Sequence, residues 1–143
     1  MEKSLLPILR AHSISFYAFR VLASGFLTGN FSAGKSTDTR FSDAHPLGKA
    51  FQKLYGDPKL QQAMKDLEGS LAPLGVLGRE ASLRWMYYPS RLGVGDAIIL
   101  GASKIAQVRE NVESITKGPL PDGVVEKVEG MWNVLAGDRG GIL

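Results

Sequence analysis

Asp96 to Gly118 reads DAIILGASKIAQVRENVESITKG: a short apolar run, a Gly-x-Ser turn and an amphipathic stretch. Ala97 to Leu100 predicts a strand, with Gly93 and Gly95 forming the turn into it. Ser103 is the expected N-cap of the helix that follows, and Gly118-Pro119 its stop. At the helical period, Ile105, Val108, Val112 and Ile115 fall on one side, expected to pack. Ser103, Gln107, Glu110, Asn111 and Ser114 gather on another. A helix that opens directly after a strand directs free N–H groups and a positive dipole end at one spot, where an anion fits. The pattern equally accommodates a plainer reading, in which Ser103 only caps the helix and the polar stripe only meets water. Gly93-x-Gly95 precedes the strand, and no Gly-Lys-Ser/Thr joins strand to helix, so Rossmann and Walker readings of this unit are rejected.

The rest of the chain bounds what such a unit serves. With 143 residues, one domain over 1–143 is expected. Apolar content of 44% and charged content of 22% are ordinary, and no apolar run nears the roughly 20 residues that span a bilayer. MEKSLLPILR has no signal-peptide pattern, so the expected location is cytoplasmic. Without cysteine there is no disulfide or thiolate site, and His12 and His45 stand too far apart in sequence for a helical ligand pair, so no metal is expected. The net charge of +3 comes from scattered Lys and Arg. That suits a small anionic ligand and argues against nucleic acid.

Leu5, Leu6, Ile8 and Leu9 predict a helix over Glu2–Ala11, with Pro7 tolerated near its start. ISFYAF, Ile14–Phe19, predicts a strand buried on both faces. Arg20 to Asp43 reads as a long loop, a length usually functional or disordered. Asp57-Pro58 opens a helix with Leu60, Met64, Leu67 and Leu71 as its core stripe. Arg79–Tyr88 predicts a helix stopped by Pro89, and Asp122 opens a last one ending near Gly137. About five helices and two strands, each strand followed by loop and helix, describe a mostly helical α/β chain with parallel pairing. Two strands leave both edges open, so helices must cap them or other strands complete the sheet.

LLPILR, ISFYAFRVLASGFLTGNF, LRWMYYPS, AIILGASKIAQVRENV, GPL and WNVL stand in an order that resembles the C-terminal part of aldo-keto reductases, nearest the aflatoxin-aldehyde reductase branch. The resemblance covers essentially the whole chain and is weakest between about Thr37 and Gly78. It implies a partial (β/α)8 TIM barrel in which ISFYAF and AIIL are the seventh and eighth strands, whose following loops hold phosphates in such barrels. It implies that Phe19 stacks on a nicotinamide ring, and that the loop with Arg20, Leu22 and Ser24 wraps a pyrophosphate. Relatives usually have Asn or Ser and then Pro-Leu at the start of this loop, where Arg20 is a departure. Gly101, Ser103, Gln107 and Asn111, with Glu110 beside them, match positions holding the adenosine phosphate and adenine, which favours NADP.

The family's Asp, Tyr, Lys and His tetrad comes from the first half of the barrel, so the resemblance implies a chain that begins after all four. Tyr17, Tyr55, Tyr87 and Tyr88 lack a matching Lys and Asp, and His12 and His45 lack a paired carboxylate or serine, so no catalytic residue is assigned. Lys35, Asp38 and Arg40 read as solvated, with Arg40 able to reach a cofactor phosphate. Four readings stay open: a truncated NADP-dependent reductase of a carbonyl substrate, completed by another chain; a pseudoenzyme or small-molecule-binding module; a truncated product that folds poorly alone; and a diverged isomerase or cyclase. In each that folds, the open strand edges predict a homodimer or larger assembly.

Overall fold

A computed structural model describes residues 4–135, and its elements follow the chain as α1 (Leu5–Ala11), β1 (Tyr17–Ala18), a 3-10 segment (Ala23–Thr28), α2 (Gly48–Tyr55), α3 (Pro58–Leu71), a second 3-10 turn (Ala72–Leu74), α4 (Gly78–Tyr87), β2 (Ala97–Ile98), α5 (Ile105–Thr116) and α6 (Asp122–Leu135). The two strands pair in parallel, Tyr17 opposite Ala97 and Ala18 opposite Ile98, and are the whole sheet among the described residues. This is the partial α/β architecture expected, mostly helical and without a closed barrel.

Local chemistry accounts for most boundaries. Asp57 caps α3 by accepting from the amides of Lys59 at 2.8 Å and Leu60 at 3.2 Å, with Pro58 at the first helical position. The expected stripe of Leu60, Met64, Leu67 and Leu71 is buried to the last residue. The predicted strand Ala97–Leu100 closes at Ile98 and the first helix opens after Ser4, while Glu2 and Lys3 and the Gly137 end of the last helix lie outside the described residues.

Three expectations change. The predicted six-residue strand shortens to Tyr17–Ala18, and it is not buried on both faces: Ala18 is buried while Tyr17 and Phe19 are 60% and 70% exposed. A two-stranded sheet has nothing to lay on its second face. The loop from Arg20 to Asp43 is packed, because Phe26 and Phe41 are buried and Phe31 stacks on Phe41 with centroids 4.3 Å apart. Finally α2 was not predicted, since GKAFQKLY offers a capless start and too few apolar residues to declare a stripe; Phe51 and Tyr55, one turn apart, hold it to the core.

The interior falls into two apolar clusters. The larger joins Phe26, Phe41, Phe51 and Tyr55 to the α3 stripe and to Leu120 and Val124. The smaller gathers Ala18, Val21 and Leu83 with Ile98, Leu100 and Ile115 around the sheet. Between α3 and α4, the Glu68 carboxylate accepts from the Gly78 amide at 3.1 Å, capping α4 from a distance. A Cβ at Gly78 would collide with Glu68 Oε1, so glycine is what lets this carboxylate approach. Burial pushes the Glu68 carboxyl up, and the Gly78 amide opposes it.

At the opposite end of the sheet Asp96 ties three segments together. Its Oδ1 accepts from the Phe16 amide at 2.7 Å, its Oδ2 from the Gly93 amide at 2.8 Å, and Arg10 pairs with both oxygens. The Gly93 and Phe16 amides, joined by Arg10, hold the Asp96 carboxyl below the usual carboxylate range.

Candidate functional site

Because β1 and β2 run in parallel, the segments after them leave the sheet at one end. There Phe19 and Arg20 follow β1, while Gly101 and Ser103 follow β2. The Phe19 ring is open to solvent on this end, and the Arg20 guanidinium carbon lies 5.7 Å from its centroid. Leu22 packs on the smaller cluster and anchors the loop.

The backbone of that loop is unusual. Arg20, Ala23 and Ser24 have φ of 56°, 48° and 60°, and Gly25 follows at 101°. Left-handed geometry costs a non-glycine residue roughly 1–2 kcal/mol, and three such residues in five concentrate strain where a functional loop would hold it. Bonds from Ala23 N to Arg20 O at 2.7 Å and from Gly25 N to Leu22 O at 2.8 Å fix the turn. Ser24 Oγ is buried there without a hydrogen-bond partner.

The α5 end is less open than the sequence implied. Gln107 folds back, and its Oε1 accepts from the amides of Ser103 at 2.9 Å and Lys104 at 3.3 Å and from Ser103 Oγ at 3.2 Å. The N-cap is therefore Lys104, not Ser103, because the chain stays extended through Lys104 before turning helical. The helix's own glutamine stands where an anion would, in the manner of a capping box. Gly101 has nothing within 4 Å of a would-be Cβ.

The two faces of α5 are also exchanged relative to expectation. Asn111 and Ser114, from the polar stripe, are 2% and 4% exposed, while Ile105, Val108 and Val112 are 77%, 45% and 47% exposed. Helix α5 packs its polar side on α4, where Arg79 pairs with Glu110. Ser114 Oγ donates to Glu110 O at 2.7 Å, and Asn111 Oδ1 has no partner. Only Ile115, of the predicted apolar face, packs against the smaller cluster as anticipated.

A buried ion network, not singled out from the sequence, braces α5 from below. Glu80 and Arg84, with side chains 7% and 9% exposed, pair at 2.6 Å, and Lys117 reaches Glu80 at 2.5 Å. Arg84 also donates to Gly118 O at 2.8 Å and Pro119 O at 2.6 Å. Burial alone would raise the Glu80 carboxyl, but the Lys117 and Arg84 hydrogen bonds and charges outweigh it and hold it below the usual range. The signal in sequence was the i, i+4 spacing of Glu80 and Arg84.

Of the remaining candidates, Tyr55 is buried in the core, Tyr88 donates to Ile115 O at 2.8 Å, and Tyr17 and Tyr87 are exposed. His45 Nδ1 accepts from the Leu47 amide at 3.1 Å at the head of α2, and His12 is exposed. Lys35, Asp38 and Arg40 are exposed on the packed loop. Gly29 to Ser36 reads GNFSAGKS, which has the spacing of a P-loop and was passed over above. No strand leads into it and no helix starts at its end. Its amides are spent internally, Ala33 N on Gly29 O, Gly34 N on Phe31 O and Lys35 N on Asn30 O, so it forms no phosphate cradle.

No helix among the described residues is long and apolar enough to cross a membrane. The family model described as aldo/keto reductase matches residues 1–133. Oxidoreductase sirO of Leptosphaeria maculans is 34% identical over 139 residues, covering 96% of this chain and 42% of that protein. Aflatoxin B1 aldehyde reductase member 2 of Rattus norvegicus is 35% identical over 153 residues, covering 95% and 40%. Aldo-keto reductase family 7 member A3 of Homo sapiens is 32% identical over 152 residues, covering 94% and 44%. The chain thus spans about two fifths of the length of the curated relatives it matches.

Proposed function

Since this chain belongs to the aldo/keto reductase family, we propose that it provides the nucleotide-holding part of an oxidoreductase that uses NADP to reduce a carbonyl substrate. The observation that carries the reading is the convergence of two segments at one end of a parallel strand pair: the strained Arg20–Gly25 loop and the Gly101–Ser103 turn into α5. The residues fit the group chemically. Ser24 Oγ and Asn111 Oδ1 are buried polar atoms without partners, Phe19 offers an open aromatic face, and Arg20 beside it supplies positive charge. Gln107 holds two amides that an adenosine phosphate would take over, and its swing away is a side-chain rotation rather than a refolding. Phe19 is the stacking surface for the nicotinamide, Arg20, Leu22 and Ser24 form the pyrophosphate loop, and Gly101, Ser103, Gln107, Glu110 and Asn111 hold the adenosine end. The bound nucleotide supplies the hydride.

The reading takes the proton donor from the part of the family's chain that the resemblance places in the first half of the barrel. A second reading applies to the chain acting alone: a nucleotide-binding module without turnover. The open sheet edges call for covering by another copy, as a homo-oligomer, or by a complementing chain.

Calorimetric titration separates these readings. NADPH is expected to bind more tightly than NADH, and Ser103→Ala or Asn111→Ala to weaken it by about tenfold, the worth of one or two hydrogen bonds. Absence of heat at millimolar NADPH would remove the cofactor reading. Loss of nicotinamide absorbance on adding a carbonyl compound to the chain alone would overturn the module reading.

A further inference from the structure

The side chain of Arg20 goes to the Phe19 ring and not along the loop. Its backbone holds the left-handed φ of 56°, and Ala23 N donates to Arg20 O at 2.7 Å, so the carbonyl is committed to the turn and the direction of the Cα–Cβ bond is set. From there the guanidinium carbon lies 5.7 Å from the centroid of the Phe19 ring, which is 70% exposed. That is within the range of a cation–π contact. Among the described residues no carboxylate pairs with Arg20, so its charge is not cancelled at the ring. A guanidinium keeps that charge at any working pH. One permanent cation is therefore held against the aromatic surface at the open end of the sheet.

We propose that the Arg20 side chain gives the chain a preference for the reduced over the oxidised nucleotide, by acting on the charge of the ring that Phe19 receives. The inference rests on the nucleotide reading above and divides the residue within it: the Arg20 backbone belongs to the diphosphate loop, its side chain to the ring. A dihydronicotinamide ring is neutral, and after giving up a hydride with its electron pair it is a cation. The diphosphate and the adenosine phosphate carry the same charge in both forms. A cation beside the phosphates thus strengthens both forms alike, whereas a cation beside the ring repels only the oxidised one. The guanidinium also takes up part of the negative potential of the Phe19 face, which a cationic ring would otherwise share. Both residues are exposed, so the charges are screened, and the discrimination is about fivefold. A weaker hold on the oxidised form hastens its departure, and product release commonly limits turnover.

Calorimetric titration of the full chain with NADPH and, separately, with NADP+ reads the ratio of the two dissociation constants. Arg20→Asn should lower the preference for NADPH about fivefold, mainly by tightening NADP+. Asparagine takes left-handed φ readily, so this variant removes the charge without straining the loop. Arg20→Lys keeps the charge and should keep most of the preference. High salt should shrink the difference between the native chain and Arg20→Asn. Lys49→Gln removes a charge from an exposed position on α2 and should change the ratio by less than about twofold, the scale of a screened distant charge. Unaltered circular dichroism of each variant separates lost preference from lost folding. An equal loss of affinity for both forms in Arg20→Asn overturns the proposal and makes the side chain a phosphate ligand. A preference lost as fully in Arg20→Lys as in Arg20→Asn overturns it as well, because shape and not charge would then set the ratio. Binding of neither form to the native chain removes the nucleotide reading together with this inference, whereas binding of both at a ratio that Arg20→Asn leaves alone refutes only the inference.

Discussion

Arg84→Met should destabilise the chain several times more than Lys117→Ala, although both remove a cation from the same carboxylate. Arg84 is 9% exposed and Lys117 56% exposed at the side chain. Arg84 makes one bond to Glu80 and two to the carbonyls of Gly118 and Pro119. Methionine keeps the buried stem but strands Glu80 with a single, solvent-screened partner. A hydrogen bond to a charged group is worth about 1.5–3 kcal/mol net. Breaking a buried pair costs about 3–5 kcal/mol. Pro119 is an exposed residue and the bonds to Gly118 and Pro119 are only part-buried, so the lower end, about 3 kcal/mol, is expected for Arg84→Met. Lys117→Ala should cost about 0.5 kcal/mol, the scale of an exposed ion pair. Urea unfolding followed by helical ellipticity and by Trp85 and Trp132 fluorescence reads both, as a shift in midpoint at unchanged slope. The pH dependence adds a sign. Glu80 titrates below the usual range, so its pairing contributes fully above the ordinary carboxylate pKa and is lost as pH falls through the lowered one; the Arg84→Met deficit should therefore shrink in acid. Equal costs for the two variants would refute the claim that burial, not attraction, sets the scale.

Two further outcomes follow from the carboxylates on either side of α4. Gly78→Ala should cost about 1–3 kcal/mol by forcing Glu68 away, and Glu68→Ala should recover part of that loss in a double-mutant cycle, since the clash is with the Glu68 carboxylate, leaving Met64 and Leu27 as the close neighbours. In a melting-temperature series against pH, Asp96 and Glu68 should act in opposite senses. Asp96, held low, contributes stability at neutral pH that disappears in acid, whereas Glu68, pushed up, contributes in acid and loses that contribution as pH rises through its raised pKa. Glu68→Gln should therefore raise stability near neutrality relative to acid, and a variant that leaves the series unchanged would show that the carboxylate is solvated.

Strong local signals made parts of the fold legible in sequence. Asp57-Pro58 and a four-residue stripe fix α3 without help from the rest of the chain. Gly118-Pro119 likewise ends α5 within two residues of its observed close. What failed depended on neighbours. The amphipathic pattern of α5 was correct as a pattern, but which face is buried depends on the number of strands beneath it, and two strands support only the Ile115 end. Helix α2 escaped notice because two aromatic residues from a poorly capped segment make a helix only when Phe41 and Leu60 are there to receive them. At the candidate site, the return of Gln107 onto the Ser103 and Lys104 amides was not legible, because a Ser-x-x-x-Gln spacing serves either a ligand or its own helix end. The left-handed φ at Ala23 and Ser24 carries no sequence mark either, since neither residue type favours it.

The division of the interior has a kinetic consequence. The larger cluster is built from helices and the aromatic loop, and neither strand contributes to it. Under native conditions the strand pair and α5 should open together at a lower free energy than the α3–α4 body, giving two families of amide exchange rates rather than one. The end of the sheet that carries Phe19 and Ser103 would then be the first part of the molecule to loosen on warming and the last to set during refolding.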